Sequence, residues 1–221
     1  MEVLTFAGRY EDQLGPETIV WRVEGSRRYV LPSLGFFTAI RGVGVWGTDF
    51  DSLEPVDTSA VAGRLFLNSA GELSECVLSG DLPCTMAIEG QSRPATITFS
   101  LDLHQNRQRP PGAARNLSLS LVLDGVTYLV TDDWFEDGVQ RLEEALPPGT
   151  RLVCCVTCLF SDYSPGRHGL TGIRCHRGAR EQYLAVRSKS DYWSVPVTEE
   201  VPETYLCGEY QRRIPGTGYR G

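Results

Sequence analysis

A regular alternation of apolar and polar residues between tight turns constrains this fold more than any other feature of the sequence. Leucine occupies every second position of Leu117–Leu123, and Val126–Val130 follows after the dipeptide Asp124-Gly125. That dipeptide favours a two-residue type I′ turn, so the two stretches predict a β-hairpin. Ala95–Leu103 alternates in the same way, and this period places one face of a strand in the core. The sequence therefore predicts antiparallel strands with one buried face.

The first hundred residues contain further strands of this kind, separated by residues that favour turns. The predicted strands are Val3–Phe6, Thr18–Val23, Arg28–Leu31, Phe36–Trp46, Arg64–Leu67, Glu72–Ser74, Cys76–Leu78 and Cys84–Ile88. The last two flank Ser79–Pro83, which predicts a hairpin with Cys76 opposite Cys84. Two buried thiols are favoured there over a disulfide, because a reducing compartment keeps thiols free. The acidic stretch Asp49–Ser59 contains Pro55 and is expected to be a surface loop.

One helix is predicted after these strands. Asp133 is a favourable N-cap, and Glu136, three residues later, completes a capping box. A single apolar stripe at helical spacing follows, formed by Phe135, Val139, Leu142 and Leu146. The stretch Pro147–Gly149 ends the helix. We attribute the acidic side chains near its start to the helix N-terminus, which attracts negative charge, rather than to paired catalytic carboxylates. Further along the chain, Tyr183–Val186 is predicted to be a short strand, and Tyr192–Val195 could be another.

These patterns predict an α+β fold with a mainly antiparallel β body, sandwich-like or barrel-like, one capped helix and a cysteine-rich C-terminal cap. The expected division is a β-rich domain over residues 1–131 and the helix with the cap over residues 132–221. A chain of 221 residues with 41% hydrophobic and 22% charged residues is typical of a soluble globular protein. It has no run of about 18 apolar residues and no basic, apolar leader, so neither a membrane span nor a secretory signal is expected.

The cysteines are concentrated in the C-terminal third of the chain, which holds five of the seven. In the cytoplasm that we expect for this protein, clustered cysteines are more often metal ligands or reactive thiols than disulfides. Cys155 and Cys158 form a C-x-x-C motif, and Cys175 and Cys207 follow at longer spacings. Four thiolates from three segments can surround one Zn²⁺ tetrahedrally. The segments between them are poor in apolar residues, so a metal crosslink would supply stability that burial alone does not.

The local structure of the motif decides which cysteines form the pair. Leu152–Phe160 is apolar enough to be a buried strand, and in a strand Cys154 and Cys158 would share one face. We prefer a chain that breaks at Cys155. That break makes Cys155 and Cys158 the metal-binding pair and leaves Cys154 as a packed core thiol.

Histidines provide a second set of alternatives. His176 could replace one cysteine ligand, and His168, in a glycine-rich loop, is a weaker candidate. A thiol enzyme would instead use Cys158 as nucleophile, His168 or His176 as base, and Asp162 to orient the base. Reduced cysteines without a ligand, an Fe–S cluster and a redox pair also fit the spacing.

Charge is unevenly distributed along the chain. The formal net charge is −7, but the acidic excess lies in the first 150 residues and the remainder is mildly basic. Basic and aromatic residues of the cap could together form a nucleic-acid surface. They are Arg174, Arg177, Arg180, Arg187, Lys189, Tyr183, Tyr192 and Trp193. A solvated face over core aromatic residues is favoured instead, as is a solvated loop for His104–Arg115, which has no aromatic residue to stack on bases.

The favoured function is that of a cytosolic, non-enzymatic binding or interaction protein with a structural zinc site. Its expected ligands are Cys155, Cys158, Cys175 and Cys207. We expect a protein partner and no membrane. The alternatives are a thiol-dependent enzyme centred on Cys158 and a nucleic-acid-binding zinc module that uses the basic cap.

Several short motifs near the C-terminus are distinctive. They are the C-x-x-C pair, Ser161–Pro165, Glu203–Cys207 and the terminal Gly216–Gly221. In these motifs the chain resembles an uncharacterised family of bacterial proteins of about this length, often found in actinobacteria. The resemblance covers the chain from about Asp132 to its end and extends more weakly to the β-rich part. That family has no assigned activity or cofactor, so the resemblance implies a bacterial cytosolic protein and no particular chemistry.

Overall fold

Antiparallel β-structure dominates the computed structural model, which describes residues 4–26, 33–48, 52–104, 116–164 and 172–219. A few helices accompany it, so the predicted α+β class is confirmed. The strands of the body are β1 (Leu4–Asp12), β2 (Gly15–Ser26), β3 (Ser33–Ile40), β4 (Val43–Gly47), β5 (Glu54–Pro55), β6 (Cys76–Ile88), β7 (Gln91–Asp102), β8 (Asn116–Leu123), β9 (Val126–Asp132) and β10 (Thr150–Leu152). The C-terminal strands are β11 (Ser161–Asp162), β12 (Ile173–Cys175) and β13 (Glu199–Val201), and the helices are α1 (Phe135–Ala145), α2 (Arg180–Leu184) and α3 (Lys189–Trp193).

The body is one large antiparallel sheet. Over the described residues its strands lie in the order β5-β4-β3-β2-β1-β6-β7-β8-β9. Two strands share one edge of β6, because β1 pairs with residues 76–80 and β10 pairs with residues 86–88. Pro83 lies in the gap between these two paired stretches. Its missing N–H therefore removes no hydrogen bond from the sheet.

The long strand β6 replaces the hairpin predicted at Ser79–Pro83, so that prediction was wrong. Cys76 and Cys84 lie on the same strand and both contribute to the main core. The chain between them spans about 26 Å when extended, so the two thiols cannot form a disulfide. The turn-forming composition of Ser79–Pro83 gave the wrong prediction because Gly80 has a packing role instead. It lies beneath aromatic rings, and a Cβ added at this position would lie 2.6 Å from Phe99.

Helix α1 covers the inner face of β8 and β9. It buries Phe135, Val139 and Leu142, as the apolar stripe predicts. Gly138 lets the helix approach the sheet closely, because a Cβ at this position would lie 2.8 Å from Cδ1 of Leu119.

The start of α1 differs from the prediction. Its N-cap is Trp134, which makes no side-chain capping hydrogen bond, so the capping box of Asp133 and Glu136 is not formed. The carboxylate of Asp132 accepts hydrogen bonds from the amides of Asp133 at 2.7 Å and Trp134 at 3.4 Å, both of which precede the first helical residue. These bonds stabilise the turn between β9 and α1.

The main core draws side chains from both sides of the predicted boundary at residues 131/132. Phe135, Leu152, Ile173 and Val201 belong to the same buried cluster as Trp21. A second buried cluster lies within the C-terminal part and consists of Cys158, Leu159, Phe160, Tyr183, Val186, Tyr192 and Val195. The division into two domains stays a prediction.

Several further local predictions were wrong. Phe36–Trp46 is not one strand but the hairpin of β3 and β4, and Arg64–Leu67 contributes only the isolated bridge from Leu67 to Leu73. Tyr183 and Tyr192 lie in the short helices α2 and α3 rather than in strands, and the cap of α3 is Ser188, whose hydroxyl accepts from the amide of Asp191. Short apolar runs do not distinguish strand from helix by period alone. Beyond residue 51, the expected loop Asp49–Ser59 contains β5 and a 3-10 turn.

Some predicted features lie outside the described residues. These are the strand Arg28–Leu31, most of the loop His104–Arg115, and His168. None of the described helices is long and apolar enough to cross a membrane.

Candidate metal centre

The C-x-x-C motif folds into a tight turn directly after β10. Cys155–Thr157 forms a single 3-10 turn, and the amide of Cys158 donates to the carbonyl of Cys155 over 3.0 Å. The hydroxyl of Thr157 donates to the carbonyls of Leu152 at 3.0 Å and Cys154 at 3.1 Å. The chain therefore leaves the extended conformation after Cys154, which is the arrangement preferred from the sequence.

Strand β12 brings Cys175 beside this turn. Cys175 pairs with Ser161 of β11 in the small sheet. The hydroxyl of Ser161 donates to the carbonyl of Cys155 and lies 3.2 Å from that of Cys158. Ser161 thus joins both ends of the C-x-x-C turn to the strand that carries Cys175.

The segment that contains Cys207 also bonds to the turn. The amide of Cys155 donates to the carbonyl of Tyr205 at 2.7 Å, and the amide of Leu159 donates to the carbonyl of Gln211 at 2.7 Å. Cys207 lies between these two contacts in the chain. Three separate segments are therefore held together by backbone hydrogen bonds at the C-x-x-C turn.

The four predicted ligands share one electrostatic environment. Burial raises the pKa of Cys155, and the nearby thiols of Cys158, Cys175 and Cys207 raise it further. These contributions agree with the backbone hydrogen bonds that hold the three segments at the turn. As placed, however, no three His, Cys, Asp or Glu side chains within the described part of the chain could hold a metal ion. The fold gathers the thiols without arranging them as a finished set of ligands.

A cationic side chain lies next to Cys175. Nη1 of Arg177 is 3.5 Å from the Sγ of Cys175 and also pairs with Glu199 of β13. Nε of Arg177 lies 3.5 Å from Glu209. Burial raises the pKa of Cys175, while hydrogen bonds and charge from Arg177 oppose that increase. Arg177 therefore favours the thiolate form that a metal ligand requires.

The remaining thiols belong to the protein core. Cys76 and Cys154 are fully buried, and Cys84 is nearly so. Burial raises the pKa of each of these three thiols to about 12, so they are protonated at neutral pH. None of the seven cysteines, all of which are described, forms a disulfide.

His176 is occupied by other partners. Its Nδ1 lies 3.0 Å from the carbonyl of Pro196, and its Nε2 lies 3.2 Å from the hydroxyl of Tyr192. Its ring also stacks on Tyr183 with 4.9 Å between centroids. Burial lowers the pKa of His176 and so favours the neutral ring. Neither ring nitrogen is left to act as a base for Cys158 or to replace a cysteine ligand.

The carboxylate of Asp162 is hydrogen-bonded to a buried tyrosine. The hydroxyl of Tyr183 donates to Oδ2 of Asp162 at 2.9 Å. The C-terminal tail covers this tyrosine, because a Cβ at Gly218 would lie 2.7 Å from its hydroxyl oxygen. Tyr219 packs on Tyr192 with 5.0 Å between ring centroids. The tail is therefore docked on the second buried cluster, which gives the terminal Gly-rich motif a packing role.

Most basic residues of the cap are paired with acidic side chains. Arg177 and Arg180 form ion pairs with Glu209, and Arg174 pairs with Glu200 at 3.4 Å. Of the aromatic residues proposed to stack on bases, Tyr183 and Tyr192 are at most 1% exposed, whereas Trp193 is 52% exposed and has the guanidinium of Arg174 over its ring. The two tyrosines therefore belong to the core, and the role of the basic face stays a prediction.

Sequence reasoning missed two residues that hold the turn in place. Thr157 has a local signal, because a hydroxyl between two cysteines can bond to nearby carbonyls. Arg213 has none. Its amide donates to the carbonyl of Thr157 at 3.0 Å, and its Nη2 donates to that of Cys158 at 2.9 Å. A contact between residues this far apart in the chain depends on the tertiary fold.

Comparison with known proteins gives a family assignment. A model described as a family of unknown function, DUF6304, matches residues 4–161. The match includes the body, α1, Cys155 and Cys158, and it ends before Cys175 and Cys207. It lies mainly before Asp132, whereas the motif resemblance was expected to be strongest after that residue. No curated protein and no solved structure matches the chain. Since the matched region covers well over half of the sequence, the chain belongs to the DUF6304 family, whose function is unknown.

Proposed function

We propose that the protein is a cytosolic, non-enzymatic interaction protein whose C-terminal cap is held in shape by one structural Zn²⁺. The ligands are the thiolates of Cys155, Cys158, Cys175 and Cys207. The observation that carries this proposal is that backbone hydrogen bonds and the hydroxyl of Ser161 hold the segments of Cys175 and Cys207 at the C-x-x-C turn.

Physical chemistry gives a reason for a cation at this position. Four thiolates placed together in a partly buried site repel one another, and a divalent cation converts that repulsion into attraction. Zinc binds thiolates tetrahedrally at about 2.3 Å, so rotation of the cysteine side chains toward a common centre would complete the site. The free energy of binding would then stabilise the folded cap directly.

The surroundings of the thiols favour a structural role over catalysis. A nucleophilic cysteine needs an accessible thiolate with a lowered pKa and a base within hydrogen-bonding reach. The pKa values of Cys155 and Cys175 are raised, and both ring nitrogens of His176 have other partners. The free state of all seven cysteines supports a reducing compartment such as the cytosol.

Elemental analysis of the purified full chain tests the proposal. We expect about one zinc per chain, and we expect a chelator to lower the melting temperature. Cys175→Ser and Cys207→Ser should each reduce the zinc content. Cys76→Ala is the matched control, because it removes a buried thiol in the main core and should leave the zinc content unchanged.

Two results would contradict the proposal. One is metal-free protein that melts cooperatively at the same temperature with and without added zinc. The other is rapid labelling of Cys158 by iodoacetamide in protein saturated with zinc, which would favour the thiol-enzyme alternative.

A further inference from the structure

Over the described residues, strand β9 forms a long edge of the main sheet. It pairs with β8 on one side, and no other described strand pairs with its second side. The opposite end of the sheet is β5, which has two residues, one of them Pro55. Very short strands and proline protect an edge against pairing with another chain. β9 has seven residues and contains no proline, lysine or arginine. It therefore lacks these forms of protection.

The hairpin determines which backbone groups of β9 face its open side. Asp124 and Gly125 have positive φ angles of 50° and 79°, as a type I′ turn requires. Leu123 and Val126 are consequently a hydrogen-bonded pair at the base of the turn. Alternate residues of an antiparallel strand direct their N–H and C=O groups to opposite sides. The residues of β9 that face the open side are Thr127, Leu129 and Thr131.

One contact agrees with this assignment. The carbonyl of Thr131 lies 3.4 Å from Nη1 of Arg141, which belongs to α1 and not to β8. Since the carbonyl reaches a group outside the hairpin, it points away from β8. By the same alternation, the N–H and C=O of Leu129 also point away from β8.

The exposed side chains of this strand are apolar or uncharged. Leu129 is 64% exposed, and Val122 on the same face of β8 is 66% exposed. Thr127 and Thr131 flank Leu129 and are also exposed. This face of the strand has no charge that an acidic or basic partner would recognise. Large exposed apolar side chains beside unpaired backbone groups are typical of a strand that pairs with another strand.

We propose that this edge pairs with the same edge of a second copy of the chain, antiparallel and about a two-fold axis at Leu129. In this register Leu129 faces Leu129 of the second copy, and Thr127 faces Thr131. These three facing pairs consist of outward residues, so together they offer about six backbone hydrogen bonds. Two of the six use the Thr131 carbonyls, which must release Arg141 or accept a second donor. On the inner face, Tyr128 lies opposite Val130.

The second copy is the partner that fits the edge best. Apolar pairs and Thr–Thr pairs across two strands are favourable, so a fitting strand is uncharged and places an apolar residue opposite Leu129 and hydroxyl residues opposite Thr127 and Thr131. Two-fold symmetry supplies that sequence from β9 itself, and such an interface is self-complementary. Because β5 is protected, β9 is the one long edge among the described strands of the main sheet, and the assembly stops at a dimer. This inference does not depend on the metal centre.

The mass of the full chain in solution tests the inference. In analytical ultracentrifugation, the wild-type protein should shift from one chain to two chains as its concentration rises. Leu129→Lys should remain a single chain at the same concentrations, because two lysines would face each other across the axis. Val20→Lys is the matched control. Val20 is 53% exposed but lies on the interior strand β2, so this variant should dimerise like the wild type.

A backbone variant provides an independent test. Thr127→Pro removes an N–H that faces the open edge and leaves the bonds to β8 in place. It should abolish the dimer while its circular dichroism spectrum stays that of the wild type. The amides of Thr127 and Leu129 should exchange hydrogen more slowly as the wild-type concentration rises. A wild-type protein that stays a single chain at its highest soluble concentration overturns the inference, as does an undiminished dimer in both edge variants.

Discussion

Gly8 and Gly80 lie directly opposite each other on β1 and β6, and the indole of Trp21 packs against both. The indole Nε1 donates to the carbonyl of Ser79 at 2.8 Å, and Trp21 is fully buried. A Cβ at Gly80 would lie 2.6 Å from Phe99 and 2.9 Å from Trp21. The largest side chain of the core is therefore accommodated by two residues that have none.

Gly80→Ala should destabilise the protein by about 1–3 kcal/mol, the cost typical of overfilling a packed core. Urea unfolding measures this loss. Gly25→Ala is the matched control, because Gly25 also lies in a strand and no atom lies within 4 Å of the position of its Cβ. Equal losses in the two variants would mean that the contact with Trp21 does not limit the packing.

Arg41 and Asp12 form a two-pronged ion pair, with both N···O distances at 2.6 Å. The side chain of Asp12 is 0% exposed. Arg41→Gln would leave a buried carboxylate without its cation, so we expect a loss of about 3–5 kcal/mol in urea unfolding. Arg9→Gln removes the exposed pair with Glu11 and should cost no more than about 1 kcal/mol. A loss that small for Arg41→Gln would show that the buried pair does not stabilise the fold.

The same carboxylate should make stability depend on pH. Burial alone raises the pKa of Asp12, but hydrogen bonds from Arg41, Tyr10 and the amide of Leu14 outweigh it, so the pKa is lowered. Its contribution is therefore complete above the unfolded pKa of about 4 and is lost as the pH falls through the folded pKa. Urea unfolding from about pH 6 to about pH 3 should show this decline. Asp12→Asn should be less stable at neutral pH and decline less steeply, and a slope identical to that of the wild type would contradict the assignment.

Thr157 connects the stability of the C-x-x-C turn to the proposed metal site. Thr157→Val removes the hydroxyl that bonds to Leu152 and Cys154, and it should cost about 1–3 kcal/mol. If the turn positions Cys155 for zinc, affinity should also fall about tenfold or more in a chelator competition assay. Thr18→Val, at an exposed position of β2, is the control and should change neither quantity. If Thr157→Val lowers the stability but leaves the zinc affinity unchanged, the turn does not position Cys155 for zinc.

The hairpin of β8 and β9 is predictable from sequence because its causes are local. Asp124 and Gly125 adopt positive φ angles, which aspartate tolerates and glycine adopts freely. Leu117–Leu123 places leucines at alternate positions on the core side. The apolar stripe of α1 is predictable for the same reason. Period and turn chemistry act over a few residues and hardly depend on distant partners.

Where distant partners compete with local preference, the sequence pattern fails. Ser79–Pro83 has the composition of a turn but lies within β6, because Gly80 accommodates aromatic rings and Pro83 lies in the gap between two neighbouring strands. Tyr183 lies in a helix, although its short apolar segment resembles a strand. Such segments adopt the conformation that buries them against the rest of the fold.

The cysteines show what the sequence and the tertiary structure each contribute to the candidate metal site. The sequence favours Cys155 and Cys158 as a metal-binding pair with Cys154 in the core, and the turn after Cys154 agrees with that preference. The pairing itself stays a prediction. Only the tertiary structure placed Cys175 and Cys207 near that pair, through Ser161 and the carbonyl of Tyr205. The sequence by itself determined the antiparallel β class and the type of side chain available for binding. Tertiary packing decided which of those side chains meet, because residues far apart in the chain come together only when burial and hydrogen bonding offset the entropy of closing the loops between them.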